Sequence, residues 1–175
     1  LFPYTTLFRS LCLINWLTSY SLYVDNMANW FNEEVAADWM EDRQKMMTIL
    51  QEEAELNEIV QMVGMDALSP TDRLKMEAAR SIREDFLHQN SFHEIDTYTP
   101  LRKQYLMMKL VLAFYEKSVD ALNKGADMNA LIAMPVREKI GRYKYTTDAD
   151  IESEYKNVEE ELDKEVAAAF GKEDF

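Results

Sequence analysis

Apolar residues recur at intervals of three and four positions along most of the chain, which is the spacing of one face of an α-helix. The first long run follows Asp38 and ends at Gly64. Asp38 with Glu41 three positions later predicts a helix start of the capping-box type. Trp30 and Phe31, just before the run, indicate a short preceding helix that packs on it. The apolar positions of the run are Met46, Met47, Ile49, Leu50, Ala54, Leu56, Ile59, Val60 and Val63.

A second helix is predicted to begin at Ser69-Pro70. Proline at the first helical position loses no needed hydrogen-bond donor, and the Ser69 hydroxyl can accept from the exposed backbone amides. The apolar stripe of this helix consists of Leu74, Ala78, Ile82 and Phe86. Because only a short turn separates the two helices, we expect an antiparallel hairpin with the turn at its exposed tip.

Residues 88–98 are too polar and irregular to continue the second helix, and Thr99-Pro100 begins the next one. The apolar positions of this third helix alternate between spacings of four and three, which is typical of a coiled-coil-like seam. The helix is predicted to end at Gly125. The seam positions are Leu101, Tyr105, Met108, Leu112, Tyr115, Val119 and Leu122.

The rest of the chain is also helical in pattern. A short helical turn over Met128–Met134 precedes Pro135, and Thr147 with Asp150 caps a last helix. Its stripe consists of Ile151, Tyr155, Val158, Leu162, Val166 and Phe170. Only four glycines and four prolines occur in 175 residues, which disfavours a sheet with many tight turns. The pattern predicts an all-α bundle of about five helices with a helical hairpin, after a short irregular N-terminal segment.

Net charge limits the classes of partner, and cysteine usage indicates the cellular compartment. The chain carries 32 acidic and 19 basic residues, and its net charge of -13 repels phosphate backbones and anionic lipid surfaces. Nucleic acid is therefore excluded as a partner. No segment approaches the roughly 20 apolar residues needed to span a bilayer, so we expect no direct membrane insertion. Cys12 is the single cysteine and cannot form an internal disulfide, which favours a reducing cytoplasmic setting.

Three blocks in order carry a family resemblance, of which the third is the loop with Phe92 and Tyr98. The block Ile14-Asn15-Trp16-Leu17-Thr18-Ser19-Tyr20-Ser21-Leu22-Tyr23 resembles the end of the nucleotide-binding domain in the catalytic A subunit of V/A-type rotary ATPases. Its signature positions are Asn15, Ser19 and Ser21. The turn from Gly64 to Asp72 resembles the turn of the related F-type subunit that faces the rotating central stalk. The predicted stalk-contact residues are Asp66, Ala67, Leu68, Ser69, Pro70, Thr71 and Asp72.

This resemblance implies a division of the chain. Residues 1–13 resemble translated sequencing adapter and its junction, residues 14–25 end the nucleotide-binding domain, and residues 26–175 form the C-terminal helical bundle domain. It also implies an alternating hexamer of A and B subunits around a central stalk, peripheral to the membrane on its cytoplasmic side. That complex couples ATP synthesis or hydrolysis to proton or sodium transport, with ATP or ADP and Mg²⁺ bound in the full-length A subunit.

The nucleotide chemistry is only partly present. A phosphate-binding loop requires closely spaced glycines, whereas Gly64, Gly125, Gly141 and Gly171 lie far apart. We therefore expect the chain alone to bind no cofactor, to contain no catalytic residue and to be inactive. By the resemblance, the aromatics Phe92 and Tyr98, with Ile95 between them, form the adenine side of the nucleotide site. From the residues alone, two loop aromatics more often pack into a core.

Other side chains indicate no further chemistry. His88 and His93 are five positions apart with no cysteine nearby, so no metal site is predicted. No nucleophile accompanies His93, Glu94 and Asp96, and we expect these three residues to cap helices or line a subunit boundary.

Two alternatives to the A subunit remain at this point. One is a free-standing acidic helical interaction module without nucleotide binding, and the other is the non-catalytic B subunit.

Overall fold

The computed structural model describes residues 23–170, which form seven α-helices and no strand. The all-α class is therefore confirmed. The helices are α1 Val24–Glu34, α2 Trp39–Val63, α3 Pro70–Ser81, α4 Leu101–Asn123, α5 Met128–Ile132, α6 Val136–Arg142 and α7 Ile151–Ala168. A π-helical segment, Ile82–Leu87, continues α3, and short 3-10 turns occupy Met65–Ala67 and Tyr143–Tyr145. The signature positions Asn15, Ser19 and Ser21 lie outside the described residues.

The hairpin forms as predicted. α2 ends at Gly64, whose φ of 88° lies in the left-handed region that favours glycine. α3 then returns along α2, and an ion pair at 2.9 Å joins Lys75 to Glu52. Leu74 and Ala78 of α3 are fully buried, as the predicted stripe requires. The two helices are thus joined by both apolar packing and charge pairing.

Helix α4 is the central helix of the bundle and contacts α2, α3, α6 and α7. Its buried residues are Lys103, Leu106, Met107, Met108, Leu110, Val111, Leu112, Phe114, Ser118 and Ala121. Most of the predicted seam faces the core, since Met108 and Leu112 are buried and only Leu101 is exposed. The other four seam residues pack against the core while partly buried: Tyr105, Tyr115, Val119 and Leu122. The buried surface is nevertheless wider than the seam. A helix surrounded by neighbours buries residues on most of its faces, and no narrow stripe can describe it.

Asp38 precedes α2 as predicted, but its role is different. Its side chain makes no hydrogen bond to the helix amides, so the predicted capping box is wrong. The carboxylate instead accepts hydrogen bonds from Tyr105 Oη and Lys109 Nζ of α4, both at 2.8 Å. The Lys109 ammonium holds the pKa of Asp38 below its usual range. Asp38 therefore pairs with a charged residue of α4 and does not cap α2 with its side chain.

The ends of the bundle also follow the sequence pattern. Phe31 of α1 stacks on Trp39 of α2 with ring centroids 5.4 Å apart, which confirms the predicted packing of a short helix. In α7, Val158 and Leu162 are buried against α4.

Helix α6 was not predicted. It lies so close to the π-helical segment that a Cβ added at Gly141 would stand 2.7 Å from Asp85 Oδ1.

The start of α3 provides a direct test of local stabilisation. The Ser69 hydroxyl accepts a hydrogen bond from the Asp72 amide at 3.1 Å. We expect Ser69→Ala to lower the free energy of unfolding of the chain by about 1 kcal/mol, because the amide loses its acceptor. Chemical denaturation followed by circular dichroism measures this change. Ser69→Asn is the matched control, since asparagine caps helices as well as serine does, and an equal loss in both variants would contradict the assigned cap.

Candidate functional site

The hairpin tip, residues 61–72, exposes a group of apolar side chains. Met62 is 76% exposed and Val63 is 63% exposed, and the neighbouring Ile59 and Met65 are exposed as well. Sequence reasoning did not include these residues in the contact set. The signal was present, since apolar residues next to Gly64 occupy more than one face of the helix end. Solvent-facing apolar groups at the end of a packed hairpin are suited to contact another protein surface.

The predicted contact residues at the tip differ in accessibility. Asp66 is exposed, and its carboxylate lies 4.0 Å from the Arg73 guanidinium. Leu68 is buried, so its side chain anchors the turn and does not lie on the surface. Asp72 is half-buried and its carboxylate accepts from the Ser69 hydroxyl at 2.6 Å. The remaining predicted residues, Ala67 and Pro70, are exposed, and Thr71 is half-buried.

The aromatic loop, residues 88–98, presents two rings to solvent. Phe92 is 98% exposed and Tyr98 is 79% exposed, and Ile95 between them is half-buried. Neither ring packs into the core of this bundle. Exposed aromatic faces can stack on a planar base or pack against a neighbouring domain. The loop contains no lysine or arginine, so it provides no cation for a phosphate group.

Hydrogen bonds within the aromatic loop hold its shape. The Asn90 amide donates to Asp96 Oδ2 at 2.6 Å, and the Phe92 amide donates to Asn90 Oδ1 at 3.0 Å. His93 Nδ1 accepts from the Ile95 amide at 3.3 Å. The exposed rings therefore project from a hydrogen-bonded loop.

The position of Asp96 contradicts the prediction that it caps a helix or lines a subunit boundary. Its carboxylate is fully buried beneath the loop, so it neither lines a subunit boundary nor caps a helix. One carboxylate oxygen, Oδ1, has no hydrogen-bond partner in the described part of the chain. A buried carboxylate that accepts a backbone amide shapes a loop from inside.

The tip and the aromatic loop are connected by continuous helical structure. Helix α3 leads from the tip into the π-helical segment, which ends at Leu87, and the loop begins at the next residue. These 18 residues span roughly 25 Å at the usual helical rise.

Within residues 23–170, no helix is both long and apolar enough to cross a bilayer.

Comparisons with known proteins identify the family of the chain. A family model described as the C-terminal domain of V and A type ATP synthase matches residues 28–132. The V-type ATP synthase alpha chain of Acetivibrio thermocellus is 55% identical over 160 residues, which cover 91% of this chain and 27% of that protein. The same-named chain of Clostridioides difficile is 53% identical over 154 residues, covering 88% of this chain and 26% of the relative. The chain thus spans about a quarter of the length of these relatives.

The family match covers more than half of the chain and includes most of α1 and all of α2 to α5. It contains both the hairpin tip and the aromatic loop. The chain therefore belongs to the family of the C-terminal domain of V and A type ATP synthases.

Proposed function

We propose that the chain is the C-terminal part of the catalytic A subunit of a V/A-type rotary ATPase, which couples ATP synthesis or hydrolysis to proton or sodium transport. The relatives' name of V-type ATP synthase alpha chain supports this assignment over the B subunit and over a free-standing interaction module. The observation that carries the proposal is the aromatic loop, whose two exposed rings suit the base of a nucleotide. The ATPase and synthase activity belongs to the full-length subunit.

In this proposal the aromatic loop completes the adenine side of the nucleotide site. Phe92 and Tyr98 offer their faces to the base, and Ile95 adds an apolar contact. The loop carries Glu94 and Asp96 and no lysine or arginine, so the phosphates and Mg²⁺ are held by the part of the subunit that precedes this domain. The loop contributes binding energy at the base end of the nucleotide and no catalytic group.

The hairpin tip contacts the central stalk in this proposal. Met62 and Val63 supply exposed apolar area, and Asp66 supplies an exposed carboxylate beside it. When the stalk displaces the tip, α3 and the π-helical segment carry the displacement to the aromatic loop because a packed helix moves as a body. Nucleotide affinity then depends on the angle of the stalk. B subunits alternate with this subunit in the hexamer, which is attached to the cytoplasmic face of the membrane through the complex.

The stalk contact is tested by placing charge on the tip. We expect Met62→Glu with Val63→Glu, in the assembled ATPase, to reduce torque or ion coupling severalfold, because each glutamate must be desolvated at the contact. Single-molecule rotation under load measures the torque, and nucleotide titration measures binding. Nucleotide affinity should change little.

Gln61→Glu is the control for this experiment, since it adds charge at the same tip without removing apolar area. It should reduce torque less than the double variant. Normal torque and coupling in the Met62→Glu, Val63→Glu enzyme would refute the tip as the stalk contact.

A further inference from the structure

A buried lysine lies at the start of α4. Lys103 is fully buried, and its ammonium donates hydrogen bonds of 2.7 Å to the carbonyl oxygens of Lys144 and Thr146. An ammonium group is rarely buried unless its donors are satisfied. Burial lowers the pKa of Lys103, and the carboxylates of Asp148 and Asp96 oppose that effect. Lys103 therefore ties α4 to the segment that follows α6.

A second lysine extends this connection to the aromatic loop. Lys144 is 8% exposed, and its ammonium donates to the carbonyls of Glu84 and His88, each at 3.2 Å. Glu84 lies in the π-helical segment and His88 is the first residue of the loop. The end of a helix leaves carbonyl groups that need a donor, and Lys144 supplies it.

The same segment also contacts the middle of the loop. The ring of Tyr145 lies 4.4 Å from the ring of His93, measured between centroids. Asp96, buried under the loop, holds the Asn90 amide with one oxygen and acts electrostatically on Lys103. The loop is thus held at its first residue, at its centre and from beneath, while Phe92 and Tyr98 remain exposed.

We propose that Lys103 and Lys144 form a latch that sets the position of the aromatic loop against α4. The two lysines are positioning residues, because their ammonium groups bond to backbone carbonyls and not to the ligand. The inference rests on the proposed nucleotide function of the loop for its effect on binding. Its effect on the order of the loop is independent of that function.

Hydrogen exchange tests the structural half of the proposal in the full-length, assembled subunit. In Lys103→Met and Lys144→Met, amides of residues 88–98 should exchange faster by on the order of tenfold, because charged hydrogen bonds to the segment are lost. Amides of residues 61–67 at the tip should keep their rates. Lys103→Arg retains a cationic donor and should recover part of the protection. Unchanged exchange in residues 88–98 would overturn the latch.

Lys109→Met is the matched control. Lys109 is another lysine of α4, but its Nζ lies 2.8 Å from the Asp38 carboxylate and 3.0 Å from the Asp42 carboxylate, so it contacts α2 and its N-cap and not the loop. The Lys109→Met variant should lower the free energy of unfolding of the whole bundle without selectively accelerating amide exchange in residues 88–98. If Lys109→Met accelerates exchange there as strongly as Lys144→Met, the lysines are general structural supports and the latch is rejected. If Lys103→Met does not assemble, Lys144→Met alone decides the result.

Nucleotide titration tests the proposed effect of the latch on nucleotide binding. The latch variants should weaken ADP binding severalfold and leave the binding of a base-free ribose triphosphate unchanged, because only the base end of the site is disturbed. In a Phe92→Ala, Tyr98→Ala background the latch variants should cause no further loss of ADP affinity. Equal loss for both ligands would contradict a role confined to the loop.

The outcomes separate the two proposals. If Phe92→Ala, Tyr98→Ala weakens ADP binding but the latch variants do not, the latch is overturned and the nucleotide function stands. If Phe92→Ala, Tyr98→Ala leaves ADP binding unchanged, the nucleotide function fails, and hydrogen exchange still decides whether the two lysines order the loop.

Discussion

Replacing Phe92 and Tyr98 together by alanine in the full-length subunit is expected to weaken ADP binding by roughly 5- to 150-fold. Stacking of an aromatic ring on a base contributes about 1 to 3 kcal/mol, and the variant removes both rings that the loop offers. Isothermal titration of the assembled enzyme measures the loss. The rings are 98% and 79% exposed in the bundle, so they contribute little to its folding.

Stability separates this effect from damage to the fold. The free energy of unfolding of the chain should change by less than about 0.5 kcal/mol in the double variant, as is usual for exposed positions. Phe92→Tyr with Tyr98→Phe keeps both aromatic faces and should retain most of the affinity. Equal ADP affinity in the alanine and aromatic variants would exclude the adenine role of the loop.

Leu74→Ala is expected to produce the largest loss of stability among the hairpin substitutions, about 2 to 5 kcal/mol. Leu74 is completely buried where α3 packs against α2 and α4, and its truncation removes apolar contact and leaves a cavity. Chemical denaturation monitored by circular dichroism gives the free energy of unfolding. A loss of this size should also loosen the connection between the tip and the loop.

Met62→Ala provides the comparison on the same hairpin. Met62 is 76% exposed, so its truncation should change the free energy of unfolding by less than about 0.5 kcal/mol. A large loss at Met62, or none at Leu74, would contradict the described packing. The pair distinguishes side chains that hold the hairpin rigid from side chains that are free for a partner.

The two proposed contact surfaces have different physical requirements. The tip needs exposed apolar area on a rigid support, and the aromatic loop needs a fixed orientation of two exposed rings. Helix α3 provides the support, and buried polar groups beneath the loop provide the orientation. Substitutions in the support should change stability first, and substitutions of the exposed residues should change binding or coupling first.

Local sequence signals predicted the boundaries of the hairpin. Gly64 ends α2 because its positive φ is easily reached only by glycine, and Ser69-Pro70 begins α3 because the cap and the proline act within one turn. The periodic stripe with Leu74 and Ala78 also located the buried face. These features depend on neighbours within a few residues, so the chain alone contains the information.

The aromatic loop was located by family resemblance, since composition and periodicity assign no role to Phe92 or Tyr98. The residues alone favoured packing into a core, whereas both rings are exposed. The supports of the loop were missed entirely. A lysine in the first turn of an amphipathic helix usually faces solvent, and nothing near Lys103 in the sequence indicates that two carbonyls beyond residue 143 receive its ammonium.

The sequence by itself determined the helical class, the hairpin and its turn, because helix periodicity, caps and glycine conformations are properties of adjacent residues. Only the tertiary structure decided that α4 is buried on most of its faces, that Asp38 pairs with Lys109, and that Lys103 supports the segment beside the loop. Each of these depends on groups at least 40 positions apart in the chain or on several helices at once. Burial and charge pairing arise where distant segments meet, so local patterns cannot specify them.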